Sequence, residues 1–303
     1  MALRRFTAEG QPNGTSLTVA NSTPGSGDQL TTVSKGGAGT AAFSTAQAMH
    51  GTRSILVSCP AAADTVILGY GGMATSSLPG EFYIYLLAAP TASTIIAQTR
   101  VTGAAIANLL LTVNRQITVT DAAGTSIHTF ATALALNTWY RVALRVVPGT
   151  TTTVPHNGQV YAAFYLGDST TSVDAVYSNT AANTGSSGAN SAVEFRWGKL
   201  QTAGTLSAHF DDPSVNDGLG SFVGPANALA ATLSVDPTSG TVPFNVTAFA
   251  SATGGTGTPY SYAFNWGDGG TTPAQASNQA VHQYTVASPV GQPYTVTATV
   301  TNT

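Results

Sequence analysis

The run Tyr262-Ala-Phe-Asn-Trp-Gly-Asp-Gly269 constrains this chain more than any other stretch. Ala263 and Asn265 alternate with Phe264 and Trp266, the period of a half-buried strand. Gly267-Asp268-Gly269-Gly270 follows at once, a turn in which glycine supplies positive φ without a Cβ clash. After a gap come Val281-His-Gln-Tyr284 and then Pro293-Tyr-Thr-Val-Thr-Ala-Thr-Val300. In that last run Tyr294, Val296, Ala298 and Val300 alternate with threonines, which reads as a closing strand.

This order of pieces resembles the PKD domain, an immunoglobulin-like β-sandwich. That family carries a W-G-D-G turn, an H-x-Y and a final Y-x-V-x-x-x-V strand. Here Trp266, Gly267, Asp268 and Gly269, then His282 and Tyr284, then Tyr294 onward match in turn. The resemblance covers residues 228–303. It implies an adhesion or spacer module of extracellular type. It also implies that Trp266 is the buried anchor between sheets, and that His282 braces the turn carrying Trp266 and Asp268.

At 303 residues the chain is long enough for two β-domains with cores of their own. Only 8% of residues are charged, against about 25% in an average soluble domain. Polar work therefore falls to Thr, Ser, Asn and Gln, and Thr suits exposed strand faces because its β-branch favours extended backbone. Such a composition is common in secreted and virion-surface β-proteins. A net charge of −3 with no basic cluster beyond Arg4-Arg5 argues against nucleic-acid binding. The one cysteine, Cys59, excludes an internal disulfide and reads as a small strand residue. No apolar run approaches the roughly 20 residues of a membrane span. Thr7–Pro12 is polar where an export signal would place its apolar segment, so no signal peptide is expected. An extracellular character without an export signal fits a phage virion protein, made in the host cytoplasm and working outside after lysis. The alternative location is extracellular.

The expected domains are residues 1–218, a linker at 219–230 punctuated by Gly224-Pro225, and residues 231–303. Strands are expected at Ser54–Ser58, Thr65–Leu68, Glu81–Ala88, Ile95–Thr102, Leu109–Val113, Gln116–Thr120, Trp139–Val147, Gln159–Leu166, Ser191–Leu200 and Leu206–Asp211. Thr180–Asn190 reads as a loop. Four motifs in order resemble the concanavalin-A-like, laminin-G-like jelly roll: Phe43 to Leu56 with His50-Gly51, Asn137-Thr-Trp-Tyr-Arg-Val around Trp139, Gly158 to Gly167, and Phe210-Asp-Asp-Pro-Ser-Val-Asn-Asp-Gly218. The expected fold is all-β, an N-terminal concanavalin-A-like jelly-roll sandwich followed by a small immunoglobulin-like sandwich. This combination resembles minor tail or decoration proteins of tailed phages of actinobacteria. The resemblance implies a structural virion protein whose partners are other virion proteins, a second copy of itself, or a host cell-surface glycan. The alternative is a carbohydrate-binding or adhesion module of a secreted bacterial protein.

Asp211, Asp212, Asn216 and Asp217 form the one dense cluster of oxygen ligands. It is a candidate for calcium, which takes six to eight oxygens. The plainer reading is a strand-ending, solvated turn with Pro213 fixing φ. The five histidines show no metal-ligand spacing, and each reads as a buried imidazole bonded to backbone. Glycoside hydrolysis needs two carboxylates about 5–9.5 Å apart. With Glu9, Glu81 and Glu194 the only glutamates, and the aspartates read as solvated, no catalytic residue, no obligatory cofactor and no enzymatic activity are expected. Tyr83, Tyr85, Trp139, Tyr140, Tyr161, Phe164, Tyr165, Trp197, Tyr260 and Tyr262 include alternating pairs in which one aromatic enters the core and the other faces out. Outward aromatics can stack on sugar faces, and core packing is the favoured reading for each single residue.

Overall fold

The computed structural model describes residues 3–9, 11–22, 28–151, 153–185, 191–216, 222–225, 230–253 and 260–302. It divides into two compact units, Met1–Pro225 and Ala226–Thr303. Among the described residues the one helical element is the short turn Ala20–Ser22.

The first unit is a jelly-roll-like sandwich of two antiparallel sheets. The eight-stranded sheet runs Tyr177–Ala182, Gly158–Leu166, Trp139–Val147, Leu78–Leu86, Leu206–Asn216, Ser54–Cys59, Thr40–Ser44, with Leu3–Arg5 also paired to Leu206–Asn216. The seven-stranded sheet runs Ser126–Ala133, Gln116–Asp121, Ala104–Leu111, Thr94–Val101, Glu194–Lys199, Thr65–Tyr70, Thr32–Gly36. Alternation explains the core: Phe82, Ile84, Val142, Leu144, Phe164 and Phe210 point between the sheets to meet Phe195 and Trp197. Phe82 and Phe195 rings lie 6.5 Å apart across the sandwich. Cys59 is buried there, and burial pushes its thiol up to about 11, which makes it inert.

Several elements differ from the sequence expectation. Leu3–Arg5, Thr32–Gly36, Thr40–Ser44, Ser126–Ala133 and Tyr177–Ala182 are additional strands. Thr180–Ala182, expected in a loop, completes the last of these against Gly158–Leu166. Residues 186–190 of that expected loop lie outside the described residues. The strand expected at Leu109–Val113 is Ala104–Leu111, because Thr112–Arg115 turn, with Arg115 at φ 63°. The strand expected to end at Asp211 continues to Asn216 through an irregular register between Asp211 and Ser214.

The second unit is a small two-sheet structure. Ala230–Asp236, Phe244–Thr253 and Gln279–Tyr284 form one sheet, and Thr271–Gln275, Tyr260–Asn265 and Thr297–Asn302 the other. Val246, Ala248, Tyr262, Phe264, Trp266 and Tyr284 are its core. Trp266 is 1% exposed, its indole N–H donates to Thr272 (3.1 Å), and Tyr284 OH donates to its carbonyl (2.6 Å). His282 stacks on Trp266 at 5.0 Å and holds Asp268 at 2.7 Å. Gly267 sits at φ 82°, where a Cβ would meet the Thr295 backbone at 2.7 Å. The closing strand begins at Thr297 rather than Tyr294. Tyr294 instead stacks on Tyr284 at 5.0 Å, beside a cleft of about 550 Å³ lined by Val235, Phe244, Tyr284 and Val296.

Candidate functional site

The eight-stranded sheet carries its chemistry on the face turned away from the core. Cross-strand register sets Tyr165, Arg141, Tyr83 and Asp211 in one lateral row. Trp139, Tyr85 and His209 form a second row, and Ala163, Ala143, Glu81 and Ser214 a third. Directly opposed residues of an antiparallel pair share a face, so each row is a contiguous strip. Glu81, Tyr83, Arg141 and Asp211 are nevertheless buried. Loops and residues 222–225 therefore cover much of this face.

Three distant segments meet at its edge. His50 lies in the loop between Thr40–Ser44 and Ser54–Cys59, Asp168 in the turn after Gly158–Leu166, and Asp212 in the irregular stretch of Leu206–Asn216. His50 Nδ1 is 2.6 Å from Asp212 and its Nε2 is 2.9 Å from Asp168. Tyr83 OH donates to the other Asp168 oxygen at 2.5 Å. Beneath them Asp211 accepts the N–H groups of Met49 (2.8 Å), His50 (3.2 Å) and Asp212 (2.9 Å). Tyr83, Asp168, His50 and Asp212 thus form one chain. Only His50 and Asp168, at 17% and 10% side-chain exposure, reach its surface.

The electrostatics follow from burial and neighbours. Burial alone would lower the His50 pKa, but bonds to Asp168 and Asp212 and their charges raise it to about 9. Burial would raise Asp168, yet His50 and Tyr83 hold its carboxyl below the usual range. Burial and the Asp212 charge push Asp211 well up. His209, bonded to the Ser54 hydroxyl at 2.8 Å, is pushed down by burial to about 4 and is neutral at physiological pH.

Next to this chain the Trp139 and Tyr85 rings pair at 5.3 Å, both half-buried. The Gly167 N–H, beside Asp168, donates to the Trp139 carbonyl at 3.0 Å, which ties the aromatic pair to the ion chain. Two further pairs cross to Gly158–Leu166. Arg141 lies 4.0 Å over the Tyr165 ring, and Arg145 lies 3.7 Å over Tyr161.

The Asp211–Asp212 stretch is not the solvated turn expected from Pro213. Both carboxylates are buried, at 0% and 4% exposure, because the strand continues past the proline on a central position of the sheet. Asp211 faces three N–H donors and Asp212 faces His50, while Asn216 ends the strand paired with Leu3 and Asp217 lies outside the described residues. Four histidines also differ from the expected backbone-bonded role. His50 bonds two carboxylates, His282 one, His209 a hydroxyl, and His128 stacks on Tyr177 at 4.4 Å. Sequence reasoning did not single out Asp168. Its one local signal is its place after Gly167 at the end of a strand.

No family model and no curated protein matches the sequence. Solved structures similar to it include a cellulose-induced protein, Cip1, at 14% identity and a TM-score of 0.43, over 61% of this chain and 88% of that one. Another is the alginate lyase vAL-1 from Chlorella virus, at 10% identity and a TM-score of 0.40, over 55% of this chain and 87% of that one. A third is Trypanosoma rangeli sialidase, at 10% identity and a TM-score of 0.41, over 71% of this chain and 30% of that one. The likeness is one of fold. The ground for expecting no enzymatic activity is solvation of the aspartates, and the burial of Asp211 and Asp212 removes it. The expectation of a non-enzymatic chain is therefore corrected.

Proposed function

We propose that the first unit is a carbohydrate-binding module that engages sugar on the outward face of the eight-stranded sheet. The observation that carries this reading is the half-buried Trp139–Tyr85 pair, bordered by His50 and Asp168. Aromatic faces beside a small number of placed polar groups are what sugar recognition needs. Core packing gives no reason for a tryptophan on this side, because Tyr140, its neighbour in sequence, already fills the inner position. The setting that goes with this reading is contact with a host-envelope glycan by a virion surface protein, as the sequence resemblance implies. Titration of the chain with a panel of neutral and acidic oligosaccharides, followed by tryptophan fluorescence, tests it. Trp139→Ala should weaken binding by about tenfold or more without a loss of folding. Unchanged affinity in that variant would refute the proposal.

The ion chain favours a second reading, in which bound glycan is also turned over. The raised pKa keeps His50 protonated at neutral pH, and its Nε2 proton, shared with Asp168 at the surface, is the one a bound glycan would take from that pair. Asp168 and Asp212 would orient it and stabilise its charge. Release of new reducing ends that disappears in His50→Gln would support this reading, and equal release by that variant would exclude it.

A further inference from the structure

Between the two arginine–tyrosine pairs the sheet has a floor of two alanines, Ala143 and Ala163, which stand opposite each other in register. Arg141 and Arg145 flank Ala143 on one strand, and Tyr165 and Tyr161 flank Ala163 on the next. The result is a shallow trough with cationic, aromatic walls. The chain fills it itself. The Phe222 side chain packs on Ala143, Ala163 and Tyr165, and the Gly224 N–H donates to Glu81 at 2.8 Å. Phe222 stays half-buried, so this cover is thin.

The charges in the trough are unequal. Arg141 is neutralised by Glu81 at 2.6 Å. The ion pairs that arginines make among the described residues involve Arg53, Arg100, Arg141 and Arg196. Arg145 is in none of them, and its polar contact is one long bond of 3.4 Å to Ser77. A guanidinium held flat on a tyrosine presents a fork that matches a carboxylate.

We infer that this trough is a binding site for an acidic glycan, a uronate-containing chain. Arg145 pairs with the sugar carboxylate, and Phe222–Pro225 is a resident strap that the ligand displaces. The inference rests on the carbohydrate-binding reading and adds to it a charge preference and a cover. A strap that closes a site lowers apparent affinity by the fraction of time the site is open.

The experiment uses the full chain with two probes, polygalacturonate and neutral cellohexaose, in binding titrations at low and high salt. Arg145→Gln should weaken polygalacturonate binding about tenfold, the share of one charge-assisted pair, and leave cellohexaose unchanged. Phe222→Ala should strengthen polygalacturonate binding about threefold or more. In the unaltered chain, polygalacturonate should speed hydrogen exchange at the Gly224 amide, a readout that does not depend on how a variant folds. Equal binding of both probes, insensitive to Arg145→Gln but lost in Trp139→Ala, would overturn this inference and leave the carbohydrate-binding reading standing. Unchanged Gly224 exchange on binding would overturn the strap. Binding of neither probe, by the unaltered chain or by Phe222→Ala, would overturn both readings.

Discussion

His50 Nδ1 lies 2.6 Å from an Asp212 oxygen, and Asp212 holds that position with φ at +40°. A non-glycine residue in left-handed backbone carries strain that the surrounding structure must offset. Here the offset comes from the imidazole, which also bonds Asp168, and from the buried Asp211 beneath.

The pairing makes stability depend on pH. The His50 pKa rises from 6.5 to about 9 in the fold. A raised pKa contributes stability that is fully present below the unfolded value and is lost as pH rises through the folded one. The chain should therefore lose up to about 3 kcal/mol between about pH 6.5 and about pH 9. Asp211, pushed up by burial and by Asp212, acts in the same direction. Comparison with His50→Gln isolates the imidazole, and denaturant midpoints across that range should be flatter in the variant. Parallel profiles would refute the assignment.

Gly80 lies under Phe195, where a Cβ would meet the ring at 2.5 Å. Both belong to the packed interior, so neither can move far. Gly80→Ala should cost about 1–3 kcal/mol by overpacking. Thermal melting checks this, and a compensating Phe195→Leu should recover part of the loss.

What the sequence shows and hides follows physical lines. Trp139–Val147 was legible in full because large residues alternate over nine positions. Thr40–Ser44 and Tyr177–Ala182 were not, because Thr, Ser and Ala alternate with too little contrast to mark a face. Asp211-Asp212-Pro213 read as a turn because proline usually ends a strand, whereas here it sits in a register irregularity. The Tyr83–Asp168–His50–Asp212 chain joins residues 85 to 162 positions apart. No local pattern reports such a meeting. Of the segment read as a linker, Phe222 and Gly224 dock on the first unit through two alanines and one glutamate, which carry no sequence signature.

Glu81 and Arg141 form a buried ion pair at 2.6 Å, both about 2% exposed. Removing one member leaves the other charge without compensation in low dielectric. Glu81→Gln keeps the shape and removes the charge, and should cost about 3–5 kcal/mol. It also weakens the acceptor for the Gly224 N–H, so protease cleavage near Gly224 should accelerate together with the fall in denaturant midpoint. A stability loss without faster cleavage would show that Glu81 serves Arg141 alone.

Trp266 holds the second unit together by three kinds of contact. Its ring stacks on Phe264 at 6.0 Å and on His282 at 5.0 Å, its N–H bonds Thr272, and its carbonyl receives the Tyr284 hydroxyl. Trp266→Ala leaves a large cavity in a core built from few big side chains, and should cost about 3–5 kcal/mol. That is a large share of the about 5–15 kcal/mol that stabilises a typical domain. Trp266→Phe keeps the stack on His282 but orphans Thr272, and should cost less. The full chain, followed by the fluorescence of its remaining tryptophans and by circular dichroism, should then show one early transition in Trp266→Ala, from the second unit, with the first unit's transition unmoved. An unchanged unfolding profile in Trp266→Ala would mean that the second unit is held by its strand ladders rather than by this ring.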